Sequence, residues 1–415
     1  MKVLHCADWH LRDEDIEEAE KCLSFLTETA RKEVVDLIII AGDVFDSRDI
    51  KLDSKAARLA IKTVSELADI APVAVVLGTP SHDGSAPEIL RYTKGDHAVH
   101  VASMPGQIYL AAGDLVFEDS LEGYPPDAVI TLIPQPTKQF FQTNSDIKAA
   151  DQEIGAALSN VFAGFGAMAA DYDCPHILVY HGGISGAKMS NGQTLTGQEI
   201  EVSIEQLNLT GADLHCCGHI HLPQQAGERT FYSGSIYAKD WGENHKHGFY
   251  IHVAGRGYTL TEEKKQTVCE SVFIETPTRK MVRLQHNFVE CPPLDELDVV
   301  LYSLDREEVD NAVIRCDFTV YQEEAATIDK EMIKNFYMSA GAVEVDVRII
   351  RVPRETVRSE TVLKVETLRE KLIAMAEIKG ETVLKSILEK ADILEEVSPE
   401  SLIASMLNEK VEVAA

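Results

Sequence analysis

Five short pieces of the chain carry side chains suited to holding metal ions. They are "CADWH" with Asp8 and His10, "AGDVFD" with Asp43 and Asp46, "PSHDG" with His82 and Asp83, "VYHGG" with His181, and "CGHIH" with His219 and His221. Residues i and i+2 of an extended chain project to the same side, so Asp-x-His and His-x-His each offer one ion two ligands from a single strand end. Asp43 lies between an apolar run and Gly42 on one side and an apolar Val44 on the other. A carboxylate in such a setting is costly to bury unless it meets a cation, and a shared one can bridge two ions about 3.5–4 Å apart. Mixed imidazole and carboxylate ligation suits manganese, iron or zinc better than magnesium or calcium. The matching chemistry is phosphate-ester hydrolysis: two ions lower the pKa of a water, clamp phosphate oxygens and offset the charge of the transition state. A histidine beside them can give a proton to the leaving alkoxide.

Taken singly, each residue has an ordinary alternative. Asp46 and Asp83 can cap turns. His5, His100 and His176 have no companions in the sequence and are read as structural. The weight comes from five pieces in order, each at the end of a predicted strand.

Those strands are legible as elements. "KVLHCADWH", "VVDLIIIAGDVFD" and "PVAVVLGTP" read as strands, the second apolar enough to be buried on both faces. "IEEAEKCLSFLTETARKE" and "SKAARLAIKTVSELADI" carry apolar residues at helical spacing. The βαβαβ order predicts parallel strands with right-handed crossovers and a site at their carboxyl ends. Short strands and a helix around 147–164 follow, then strands at "HILVYHGG", "DLHCCGHIH", "RTFYSGS" and "HGFYIHV". A boundary is expected near "ETPTRK". Residues 279–354 then read as a small α+β domain with two helices. Residues 355–415 read as a charged helical tail of two amphipathic segments split by Gly380, with a third short one after Pro399.

The 415 residues exceed one ordinary core, so two or three domains are expected. No apolar run is long enough to span a bilayer. The N-terminus lacks the apolar core of a signal peptide. Eight cysteines without a Cys-x-x-Cys pair suggest reduced thiols and a cytoplasmic protein. Cys216 and Cys217 are read as packing residues. The net charge of −29, from 39 basic and 68 acidic side chains, argues against a free-standing nucleic-acid binder.

At these residues the sequence resembles the calcineurin-like metallophosphoesterases. More narrowly, it resembles the nuclease subunits of double-strand-break repair complexes of the bacterial SbcD type. The narrower likeness rests on "LHCADWHL", "AGDVFDSR", "HGGISGAKMS" and "GHIHLPQ", followed by "FYSGSIYAKDWGENHKHGFY". It covers most of residues 1–255, and the layout beyond fits. The resemblance implies an α/β fold: a metallophosphoesterase β-sandwich flanked by helices over 1–278, a capping domain for DNA contact over 279–354, and C-terminal helices docking on the coiled coil of an SMC-like ATPase of the SbcC type. It implies that Asp8, His10, Asp43 and His221 hold one divalent ion. Asp43, the residue before His82, His181 and His219 would hold the other, with manganese as the metal. His82 would be general acid or transition-state stabiliser, oriented by Asp83, and Asp46 would lie near the scissile phosphate. The implied activity is exonuclease and endonuclease cleavage of DNA, as a repair hydrolase in DNA recombination, with access gated by the ATPase and room for a homodimer.

Two departures stand out. Where the family has Gly-Asn-His-Asp, this chain has "GTPSHD", and alignment on His82 puts Ser81 in the slot of the metal-binding Asn, with Thr79 or a water as the other replacements for its oxygen. The second is acidity, which extends to residues 358–415 with 8 Lys/Arg against 12 Asp/Glu. Two other readings stay open: a phosphoesterase for a nucleotide or other small phosphodiester, and a weakly active structural subunit.

Overall fold

The computed structural model describes residues 1–121, 123–137, 147–189, 200–239, 241, 243, 245–257, 266–354 and 365–396. Two sheets form a sandwich. The strands are β1 Lys2–Cys6, β2 Leu37–Ile40, β3 Val73–Val76, β4 Val99–Ala102, β5 Gly106–Ala111, β6 Asp114–Val116, β7 Ala128–Ile133 and β8 His176–His181. A short pair follows, β9 Gly183–Ile184 and β10 Glu201–Val202, and then β11 Leu214–Gly218, β12 Gln224–Gly227, β13 Thr230–Tyr232, β14 Gly248–Gly257 and β15 Gln266–Glu275. One sheet runs β15-β14-β1-β2-β3-β4, the other β12-β13-β11-β8-β7-β5-β6.

The apolar pattern explains the layers. Successive side chains of a strand face opposite sides, so a strand covered on both sides must be apolar throughout. β2 is such a strand, four residues without solvent exposure. Leu37 and Ile39 join Val3 and Val76 against Ile130, Val179 and Leu214 between the sheets. Ile38 and Ile40 turn outward onto α1 Ile16–Glu33 and α2 Lys55–Ala68, where Leu23, Leu26 and Val64 meet them. The far face of the second sheet packs on α3 Ile147–Ala169 and α4 Ile204–Asn208 through Phe162 and Leu207. Each such buried side chain is worth roughly 1.5–3 kcal/mol relative to exposure.

The expected parallel order holds: β1, β2, β3 and β4 run parallel, as do β7, β8, β11 and β13. The helix expected around 147–164 runs on to Ala169. Two structural histidines do have companions. His5 meets His252 across the β1–β14 pair, and His176 meets the Thr131 hydroxyl at 2.7 Å. Strand pairing supplied these partners, and no local spacing announces them.

A separate three-stranded sheet consists of β16 Lys280–Asn287, β17 Ala312–Tyr321 and β18 Glu344–Val352. Helices α5 Pro293–Leu301, α6 Arg306–Val309 and α7 Lys330–Ser339 connect them. All three strands are parallel. The α+β description of this unit is therefore sharpened to a small parallel α/β layer, because each connection is long enough to cross over with a helix. Two tail helices follow, α8 Leu368–Lys379 and α9 Lys385–Glu396. The third tail helix and most of the linker lie outside the described residues.

Candidate metal centre

The parallel strands bring five carboxyl ends to one edge of the sandwich. Asp8 and His10 follow β1, Asp43 and Asp46 follow β2, and the 78–83 loop follows β3. His181 ends β8, and His219 and His221 follow β11. Backbone bonds weld these ends together: Asp8 N–H to Gly42 O at 3.0 Å, and His10 N–H to Asp43 O at 3.0 Å. Across the sheets, His219 N–H reaches the Asp8 carboxylate at 2.9 Å, and His181 Nδ1 lies 2.6 Å from Ala41 O.

The chain is strained where these candidate ligands sit. Asp8, His10, Asp43 and His219 all have positive φ, of 52°, 44°, 51° and 101°. That region is unfavourable for residues with a Cβ, and it persists only where surroundings enforce it. Close approach enforces it here. A Cβ on Gly218 would stand 2.0 Å from Ala41 O, and one on Gly78 would stand 2.2 Å from Asp43 N.

Two groups of potential ligands result, each with its ligand atoms within 4.8 Å of one another. Asp8, His10 and Asp43 make one, and Asp43, His181 and His219 the other. Asp43 belongs to both, the position of a bridge. His221 joins the first: its Nε2 stands 2.9 Å from His10 Nε2. Asp8, His10, Asp43 and His181 are buried. His10 Nδ1 has no hydrogen-bond partner. The facing Nε2 atoms of His10 and His221, together with His181, His219 and the two buried carboxylates of Asp8 and Asp43, form a donor set that fits a pair of divalent cations.

Electrostatics point the same way. Burial raises the Asp8 carboxyl above its ordinary value. Burial also opposes the charge on Asp43, but His181 and His10 overcome it and hold Asp43 far below the usual range. Burial likewise works against a charged His181, yet Asp43 lifts it to about 9. Burial, with His221 close by, drives His10 well below 6.5.

The loop after β3 departs from expectation. Ser81 is exposed, and its carbonyl accepts from Arg48 N–H at 3.2 Å. Thr79 sits where a loop ligand of the second ion is expected. Its hydroxyl lies 3.1 Å from Asp43 Oδ2, 3.2 Å from Gln135 Oε1 and 3.3 Å from His181 Nε2, and its N–H donates to Asp43 Oδ1 at 2.6 Å. The register is fixed at Gly78, because nothing larger passes Asp43 there, so the extra residues bulge outward after Thr79. Asp83 is corrected as well. It accepts from Phe45 N–H at 3.0 Å and Gly78 N–H at 2.8 Å, tying two ligand loops together, while the Asp46 carbonyl holds His82 Nδ1 at 3.0 Å. Burial, with the nearby Asp43 charge, lifts the Asp83 carboxyl to about 7.

His82 packs edge-on to His10, ring centroids 4.6 Å apart, and groups with His10 and Asp46. Three contributors escape a reading of the sequence. Glu243 hydrogen-bonds His221 Nδ1 and accepts from Lys239 N–H at 3.0 Å. Burial opposes its charge, but the His221 bond outweighs that and holds it at about 2. Lys239 Nζ pairs with Asp46, and Arg12 lies 3.8 Å from the same carboxylate.

Residues 1–223 match the family model of the calcineurin-like phosphoesterases. The chain is similar to the SbcD component of the SbcCD nuclease of Bacillus subtilis (strain 168), 28% identical over 260 residues, 59% of this chain and 63% of that protein. It is also similar to the SbcD component of the SbcCD nuclease of Staphylococcus epidermidis, 23% identical over 315 residues, 72% of each. The match thus spans less than two thirds of the Bacillus protein's length. A family match over more than half of the chain, lying on the strands whose ends converge, settles the lineage: the chain belongs to the calcineurin-like phosphoesterase family.

Proposed function

We propose that this chain is a two-metal phosphodiesterase that cleaves DNA, the nuclease subunit of a double-strand-break repair complex. The observation that carries the chemistry is the Asp43 carboxylate shared by two ligand groups, with His82 at their rim. Asp8, His10, Asp43 and His221 would hold one ion, and Asp43, Thr79, His181 and His219 the other. Bound there, divalent ions, manganese first among them, supply a low-pKa water and neutralise phosphate charge. The chain's own residues do the rest. Donation from His82 Nδ1 to the Asp46 carbonyl leaves Nε2 as the nitrogen that would take up a proton from solvent and pass it to a leaving oxygen. Glu243 fixes the ring of His221, as an outer hydrogen bond fixes a ligand histidine. Lys239 and Arg12 place positive charge beside Asp46 at the rim, where a phosphate would pass.

DNA as substrate is supported by similarity to proteins named as components of the SbcCD nuclease. An SbcC-type ATPase partner on the tail helices, a homodimer and a cytoplasmic site follow from that reading. Among the described residues no helix is long and apolar enough to cross a membrane. The net charge of −29 favours the second reading, a smaller phosphodiester substrate. One experiment separates them: manganese-dependent release of nucleotides from linear duplex DNA beside hydrolysis of a chromogenic phosphodiester. Hydrolysis of the small ester alone, with and without a coiled-coil ATPase, would leave the nuclease reading untenable.

A further inference from the structure

We propose that His5, Cys216 and His252 form a separate structural site for a thiophilic metal ion, monovalent copper being the best match, inside the sandwich. The three side chains are fully buried and come from both sheets, on β1, β11 and β14. Each offers a ligand atom within 4.8 Å of the other two. Cys216, read from sequence as a packing residue, is in no disulfide.

His5 Nδ1 and His252 Nε2 face each other at 3.3 Å. Two imidazole nitrogens bound to one ion at about 2.0–2.1 Å stand about 3.3–3.6 Å apart for tetrahedral to trigonal angles. The outer nitrogens are engaged. His5 Nε2 lies 3.2 Å from the Cys217 carbonyl, and His252 Nδ1 lies 2.7 Å from Ser271 Oγ. A carbonyl only accepts, so the proton of a neutral His5 sits on Nε2 and the Nδ1 lone pair faces inward. That is the outer hydrogen bonding that fixes the tautomer of a metal-bound histidine. Burial holds both rings neutral, pushing His5 down to about 3 and His252 well below its ordinary value.

Charge selects the ion. A thiolate with two neutral imidazoles carries one negative charge, which a monovalent ion cancels and a divalent one overshoots. Net charge is costly in a dry layer, and a two-His, one-Cys set is a copper-type arrangement. On binding, the Cys216 S–H bond breaks, the proton leaves to solvent and a sulfur–metal bond forms, with no change of oxidation state.

The test uses the full chain expressed in medium containing both copper and zinc, or containing cobalt(II) as a spectroscopic probe. Dialysis against EDTA then strips the open Asp/His centre before elemental analysis. We expect one retained ion per chain, copper over zinc. The cobalt form should show a near-ultraviolet thiolate-to-metal charge-transfer band, which a centre without cysteine cannot give. Cys216→Ser should lose the band and the retained ion, while Cys217→Ser and Asp43→Asn keep both. His252→Gln gives a second reading should Cys216→Ser fail to fold, and it too should lose the ion. A parent protein with no retained ion and no band overturns the site and leaves a hydrogen-bonded histidine pair in the core. A band that survives Cys216→Ser also overturns it, and retained zinc without copper overturns the choice of ion.

Discussion

Thr79 and Ser81 stand two positions apart, yet only Thr79 touches the proposed ligands of the second ion. Thr79→Ala is therefore expected to raise the manganese concentration for half-maximal activity about 10-fold, and Ser81→Ala to leave it unchanged. A manganese titration of both variants decides between them, and an effect of Ser81→Ala alone would reverse the assignment. For His82 the expectation is kinetic. His82→Ala should lower kcat by about 10²–10⁴-fold with metal affinity intact, measured by single-turnover cleavage beside calorimetric manganese binding. Asp8, His10, His219 and His221 stood out as candidate ligands because Asp-x-His and His-x-His declare themselves within three residues. Thr79 was legible only as an alternative to Ser81 or a water, since counting back from His82 favours Ser81 and only the packing of Gly78 locates the insertion. Glu243 and Lys239 were not legible: Glu243 meets His221 from 22 positions along the chain and Lys239 meets Asp46 from 193. No local spacing encodes such contacts.

Elements place the ligands, and glycines and a buried carboxylate place the elements. Gly218→Ala would drive a methyl group into the Ala41 carbonyl between the two sheets, and over-packing of this kind costs about 1–3 kcal/mol. A lowered urea midpoint together with weakened metal binding is the expected pair of results, since the displaced segment carries His219. Asp83→Ala should leave the Phe45 and Gly78 N–H groups buried without acceptors, at about 1–3 kcal/mol each. Denaturant unfolding of this variant would show whether Asp83 acts as a clasp between loops; an unchanged midpoint would deny it that part. The βαβαβ unit was readable from apolar runs such as "LIII" and from helical spacing, because burial on both faces leaves no other composition. Left-handed backbone at Asp8, His10, Asp43 and His219 had no such signal, for aspartate and histidine occur in every backbone region.

Over the whole molecule, charge and buried histidines set the response to solution conditions. His215 is buried, with Nδ1 2.9 Å from Thr230 Oγ1, and burial, helped by Arg229, holds its pKa at about 3. An unfolded chain binds that proton near 6.5 while the fold refuses it, so the stability due to neutral His215 is present above pH 6.5 and is lost as pH falls toward 3. The slope reaches about 1.4 kcal/mol per pH unit for one such group. Urea midpoints from pH 7 to 4 should fall less steeply for His215→Gln than for the parent chain. With 68 acidic against 39 basic side chains, binding of bare duplex should be weak and should strengthen when the proposed ATPase partner is supplied. Truncation after Arg354 should abolish co-purification with that partner while leaving hydrolysis of a chromogenic ester intact. Ligands drawn from both sheets give the centre one more consequence. Asp8, His10 and Asp43 come from one sheet and His181, His219 and His221 from the other, so bound ions would act as a cross-link along the seam of the sandwich. At 100 times its dissociation constant an ion adds about 2.7 kcal/mol to the folded state. Scarcity of the metal would then shorten the protein's lifetime as well as its turnover, and a protease should nick the strand-end loops fastest where manganese is withheld.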